Sequence, residues 1–205
     1  MAAIELIERS EDVARLGIYH RVQLDLHRRG LREGRTSSAH LDEIVAISKA
    51  AVASFRDRLV RSDQDKRELA DLLVDLAAST LPDLGGETRS HRQVGLDAAR
   101  FAVDLWVSLG DAVGTGRAHR LLARHHQHAG APRKAEAHLR KSIECLAPTG
   151  ARDELDWSRA LLGLLQLAQG RDEGRELWDQ ARSAFASRGN LDAIRDLDWH
   201  AGRAR

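Results

Sequence analysis

A disulfide framework is excluded at the outset, because the chain has a single cysteine, Cys145. Stability must come from burial, and a reducing compartment, the cytoplasm, is the expected setting. Prolines are equally scarce: Pro82, Pro132 and Pro148 are the only three, so long helices can run without a kink. Aromatic residues make up 4% of the chain, fewer than a protein that stacks single-stranded bases would carry. The formal net charge is +1 and the isoelectric point about 8.1, which gives no broad footprint for a polyanion. A nucleic-acid partner is therefore not expected. The opening stretch "MAAIELIERSED" has acids where a secretion signal has a basic region followed by an apolar one. No apolar run approaches the roughly 20 residues that cross a bilayer, so a soluble chain is expected. Lysine is also rare. Of 32 basic residues only Lys49, Lys66, Lys134 and Lys141 are lysines. A genomic bias toward arginine codons gives that count, and so does a surface that grips carboxylates with forked donors.

What is present is helical spacing. Leu69, Leu72, Leu73 and Leu76 recur at i, i+3, i+4 and i+7, as do Ala98, Phe101, Ala102 and Leu105. Ile44, Ile47, Ala51 and Phe55 form an earlier stripe. Ala135, Leu139, Ile143 and Leu146 form a later one, followed by Leu177, Ala181, Ala184 and Phe185. No strand-like alternation runs for more than a few residues. The stretches between stripes are punctuated by Gly110, Gly130, Gly150, Gly170 and Gly189, placed just past helix ends where a left-handed cap is wanted. Pro132 stands where a first helical residue tolerates its missing N–H.

The punctuation is periodic. Residues 105–130 align with 145–170 at an offset of 40, placing Gly110 on Gly150, Leu121–Leu122 on Leu161–Leu162, Ala123 on Gly163 and Gly130 on Gly170. A further copy begins at 184–196 with an offset of 39. Such a period marks an array of helix pairs, each unable to bury its stripe alone. The expected fold is all-α, with antiparallel helix pairs stacked as a right-handed α-solenoid. One domain is expected over 1–205, with repeats at about 11–60, 62–109, 112–146 and 152–187 and a capping helix at 191–203 that turns Ile194, Leu197 and Ala201 inward.

These residues resemble the tetratricopeptide repeat over roughly 40–200. Leu122 and Ala123 match the large and small positions of its first helix, Gly130 its turn, and Ala135 and Leu139 the small and large positions of its second helix. The next copy offers Leu162, Gly163, Gly170, Trp178 and Ala181, with one residue fewer in the turn. The chain departs from that pattern in its period, about 40 instead of 34 as in long bacterial variants, and in placing His119 where an aromatic is usual. The resemblance implies a concave surface, lined by the first helices, that holds a peptide or a partner protein.

On that surface the resemblance places Arg117, Arg120, Arg124 and His128. Their spacing of three, four and four makes one ladder on a helix face. The ladder suits a carboxylate or phosphate clamp. It equally suits internal pairing with acids such as Glu68, Asp71 and Asp75, or a solvated face. The corresponding positions one copy later are apolar, and Trp157 is the candidate anchor there, with ordinary core packing as the other reading.

"HRLLARHHQHAG", 119–130, raises a metal reading. On a helix turning about 100° per residue, His119 and His126 share a face, His125 points elsewhere and His128 falls nearly opposite His119. Four ligands do not converge, so no metal is expected. Packing histidines with a polar edge, or a pH sensor, are the remaining readings. No phosphate loop, nucleophile elbow, dinucleotide fingerprint or paired-cysteine motif is present, so no catalytic residues and no cofactor are expected. The function expected is a non-enzymatic scaffold for a protein or peptide partner with acidic groups. A regulatory sensor for a small ligand or signalling peptide is the alternative, and a helical metal-dependent enzyme built on the histidines stands third.

Overall fold

The computed structural model describes residues 62–82 and 88–203, together with Leu41, Asp42, Val45, Ala46 and Lys49, which are helical. The repeat expected at about 11–60 lies mostly outside the described residues. Among the described residues every regular element is a helix. We label them α1 (Asp63–Ser79), α2 (Arg89–Ser108), α3 (Ala112–His128), α4 (Pro132–Leu146), α5 (Arg152–Ala168), α6 (Glu173–Ser187) and α7 (Leu191–Arg203). They fall into two compact units, one ending at Asp111 and one beginning at Ala112.

The first unit pairs α1 with α2. Ser62 starts α1 as a capping box: its Oγ accepts from the Asp65 N–H at 3.1 Å while the Asp65 carboxylate accepts the Ser62 N–H at 3.2 Å. Thr88 caps α2 by accepting from the His91 N–H at 3.1 Å. The expected stripe of Leu69, Leu72, Leu73 and Leu76 is fully inward, and His91 is buried with its Nε2 at 2.7 Å from the Asp42 carboxylate.

The second unit is two helix pairs and a last helix. α3 packs on α4, α5 on α6, α4 on α5 and α6 on α7, with α3 also touching α5. Gly110, Gly130, Gly150, Gly170 and Gly189 all have φ between 65° and 73°; four of them cap a helix end as expected, whereas Gly150 lies in the turn three residues beyond the α4 cap residue Ala147. Only glycine occupies that left-handed region without penalty, which is why the breaks recur as glycine. Pro132 opens α4.

The repeat is physical as well as textual. Near the end of α5, a Cβ built on Gly163 would lie 2.6 Å from the Gly174 carbonyl oxygen and 2.9 Å from the Trp178 nitrogen. The two helices therefore touch backbone to backbone at this point. One copy earlier, Ala123 and Ala135 occupy the same places and share a buried cluster with Leu139, Leu161, Leu162 and Leu165. At the other end of the α3–α4 pair, a Cβ on Gly116 would lie 2.6 Å from Leu146 Cγ. The start of α3 thus meets the end of α4, so the pair is antiparallel. A second cluster, Ala160, Ala181, Phe185, Ala193 and Leu197, joins α5, α6 and α7. Phe185 is wholly buried there, which contributes about 1.5–3 kcal/mol. Three helices are also tied by one buried hydroxyl. Ser142 Oγ on α4 donates to the Gly116 carbonyl of α3 at 2.7 Å and lies 2.8 Å from Ser158 Oγ of α5.

Candidate functional site

The arginine ladder lies on α3 as its spacing requires, but the donors of Arg117 and Arg120 are aimed at the next helix pair. Glu154, in the first turn of α5, takes both lower rungs. Arg120 reaches its Oε2 at 2.6 Å and its backbone carbonyl at 3.0 Å. Arg117 donates to Oε1 through Nε at 2.7 Å and through a terminal nitrogen at 2.6 Å. The side chains of Arg120 and Glu154 are 18% and 20% exposed, and that of Arg117 is 49% exposed. Burial alone would raise the Glu154 pKa, but Arg120 and Arg117 outweigh it and hold the carboxyl below its ordinary range. Burial also pulls the Arg120 pKa down, against the favourable charge of Glu154. The site therefore holds two guanidinium groups on one carboxylate. One positive charge is left over at its exposed edge.

Glu154 is the residue that sequence reading missed. The signal was present as separation, not as motif. Arg117 and Glu154 are 37 residues apart and Arg120 and Glu154 are 34 apart, one period less about a helical turn or two. Other cross-links in this unit fall in the same window. Arg171 grips the Glu136 carboxylate at 2.6 and 3.3 Å, 35 residues away, and Arg188 reaches Asp156 at 2.8 Å, 32 away. Stacking successive pairs brings such positions together.

Arg124 and His128 continue the ladder along α3, with Arg124 half-buried and His128 exposed. Trp157 packs against α6 and α7. It is half-buried, with its ring centroid 5.8 Å from Phe185 of α6 and 6.2 Å from His200 of α7. It packs beside the Ala160–Phe185–Leu197 cluster. Arg117 and Trp157 are equivalent positions one repeat apart. The first joins α3 to the following first helix by charge, and the second joins α5 to α7 by apolar contact.

The histidines divide as the helical wheel demands. His119 and His126 share a face, and both stack on His138 of α4, with ring centroids 5.2 and 5.3 Å away. His119 Nδ1 lies 3.1 Å from His138 Nδ1, a hydrogen bond in which one ring donates and the other accepts. The His119 pKa is lowered, first by burial and then by the charge of Lys141. The role of His138 was not legible in the sequence, because it is set by how α4 folds back on α3. Among the described residues, no three His, Cys, Asp or Glu side chains are grouped so as to hold a metal ion. No helix among them is long and apolar enough to cross a membrane.

A pocket of about 380 Å³ opens where α4 turns into α5, lined by Leu146, Gly150, Arg152, Leu155, Asp156 and Arg159, among others. Asp156 is nearly covered and is held by Arg159 at 3.3 Å and Arg188 at 2.8 Å. Cys145 lies close by in sequence, and burial raises its thiol pKa, opposite to what a nucleophile needs. No protein-family model matches this chain, and no curated protein matches it.

Proposed function

We propose that this chain is a protein- or peptide-binding scaffold of the tetratricopeptide type, a cytoplasmic helical array that takes an acidic segment of its partner against the first helices. The observation that supports this reading is the charge imbalance at Glu154. Two arginines share one carboxylate, and Arg117 keeps half of its side chain exposed beside it. A guanidinium already positioned by one carboxylate presents its remaining N–H donors to a second at little cost in side-chain entropy. Arg124 and His128 extend the same row. Trp157, packed against α6 and α7, supplies an apolar contact through the part of its ring that stays accessible.

The test is capture from a native lysate with chemical cross-linking, comparing wild type with Arg117→Glu and, as a control on another surface, Arg195→Glu. The expected result is a partner cross-linked near α3 and α5 by wild type and by Arg195→Glu, and lost from Arg117→Glu with helicity unchanged. Equal capture by all three refutes the clamp.

A second reading, a sensor for a small anionic ligand, is favoured by the pocket at the α4–α5 turn, which Arg152 and Arg159 help to line. Saturable thermal stabilisation by a small anion, abolished by Arg152→Ala, would favour it over the scaffold.

A further inference from the structure

The cavity at the α4–α5 turn lies between the far ends of two second helices. α4 and α6 are joined near their starts, where Arg171 holds Glu136. At their other ends, Leu146 and Ala147 from α4 and its turn and Ala184 from the last turn of α6 line the cavity. The α5 wall is Arg152, Leu155, Asp156 and Arg159, spaced i, i+3, i+4 and i+7 on one face. Glu154 leaves the same first turn toward Arg117 and Arg120 of α3, so the cavity and the clamp use different faces of α5.

The charges on this wall do not cancel. Asp156 gives one oxygen to Arg159 at 3.3 Å and the other to Arg188 at 2.8 Å. Arg188 also holds Asp153 at 2.8 Å. Two arginines and two aspartates thus form a neutral chain, and Arg152 stands outside it. Asp156, four residues on, is the acid a helix would offer Arg152, but both of its oxygens are engaged elsewhere. Arg152 is exposed and has no ion pair among the described residues. The cavity therefore carries one uncompensated positive charge, next to apolar surface from Ala147, Leu155 and Ala184.

We propose that this cavity binds a small monocarboxylate with a short apolar tail, its carboxylate on Arg152 and its tail between Ala147, Leu155 and Ala184. The proposal rests on the reading of the cavity as an anion site and names the anion. One spare charge matches a carboxylate, whereas a phosphate monoester brings about −1.5 to −2. The guanidinium fork also fits a planar carboxylate through two parallel donors. A volume of about 380 Å³ has room for roughly a dozen water-sized groups, enough for a six-carbon acid. Leu155 and Ala184 are half-buried, so a tail laid on them removes further apolar surface from water.

Calorimetric titration at fixed ionic strength tests this with acetate, butyrate, hexanoate, inorganic phosphate and uncharged 1-hexanol. Affinity should rise about fourfold for each methylene added between acetate and hexanoate. Phosphate and 1-hexanol should each bind about tenfold more weakly than hexanoate, because one lacks the tail and the other the charge. Arg152→Gln should weaken hexanoate by about the same factor. Ala184→Leu, which fills the tail end and leaves Arg152 in place, should remove the dependence on chain length, with unchanged helical circular dichroism in both variants. Equal binding of acetate, phosphate and hexanoate overturns the proposal and leaves the small-anion reading standing. Hexanoate binding that is indifferent to Arg152→Gln overturns it as well. The absence of saturable binding by any of the anions overturns both the proposal and that reading.

Discussion

Replacing Gly163 with alanine adds one methyl group at the point where α5 and α6 touch. The new carbon would sit 2.6 Å from the Gly174 carbonyl oxygen, 2.9 Å from the Trp178 nitrogen and 3.3 Å from Leu177 Cβ. Two of these neighbours are backbone atoms of a helix, which cannot swing aside as a side chain can. Relief requires α6 to move off α5 as a body, opening the Ala160–Ala181–Phe185 cluster beside it. Overpacking of this kind costs about 1–3 kcal/mol, and the rigid neighbours place Gly163→Ala at the upper end. Alanine returns about 1 kcal/mol through its better helix propensity. The net is a loss of about 2 kcal/mol, or roughly 4–8 °C in Tm for a chain of this length. Urea denaturation followed by helical circular dichroism measures it. Gly202→Ala is the internal contrast: its Cβ meets nothing within 4 Å, so stability holds or rises. If Gly163→Ala is as stable as wild type, the close approach of the two helices is wrong.

Gly170→Ala forces a Cβ into φ 73° and should cost about 1 kcal/mol, seen as a lower urea midpoint with an unchanged slope. Ser142→Ala removes the hydroxyl that joins α3, α4 and α5 and should cost about 1–2 kcal/mol, and adding Ser158→Ala should cost less than the sum of the two single changes. The pH dependence follows from His119, whose folded pKa is below its ordinary 6.5 because of burial and then Lys141. The unfolded chain then binds more protons as pH falls below 6.5, so stability is full above that value and is lost below it. His119→Phe should flatten the decline in urea midpoint between about pH 7 and pH 5, and an unchanged slope would remove the role assigned to His119.

The helices of the second unit were legible because their signals are local. α4 begins at Pro132, α7 begins two residues past Gly189, and α3, α5 and α6 each end two residues before a positive-φ glycine. Periodicity also marked Ala123 and Gly163 as equivalent small positions. Gly174 escaped notice because the turn before α6 is one residue shorter, which shifts the second helix by one position against the offset of 40. The ladder was legible as a ladder, since three-and-four spacing is a property of one helix. Its partner was not, because Glu154 meets Arg117 and Arg120 only through the register of neighbouring pairs. Trp157 likewise reads as an anchor or as core from sequence alone, and packing on Phe185 decides how half of its surface is used.

The charge cluster exists only in the register in which α3 and α5 lie side by side, so that residues 34 to 37 apart meet. A double-mutant cycle on Arg120 and Glu154 tests it directly, using Arg120→Ala, Glu154→Ala and the double variant in urea denaturation. Two partly buried charges 2.6 Å apart should show a coupling of about 1 kcal/mol or more. Additive losses, with no coupling, would mean that the two side chains do not meet and that the helix pairs stack in another register.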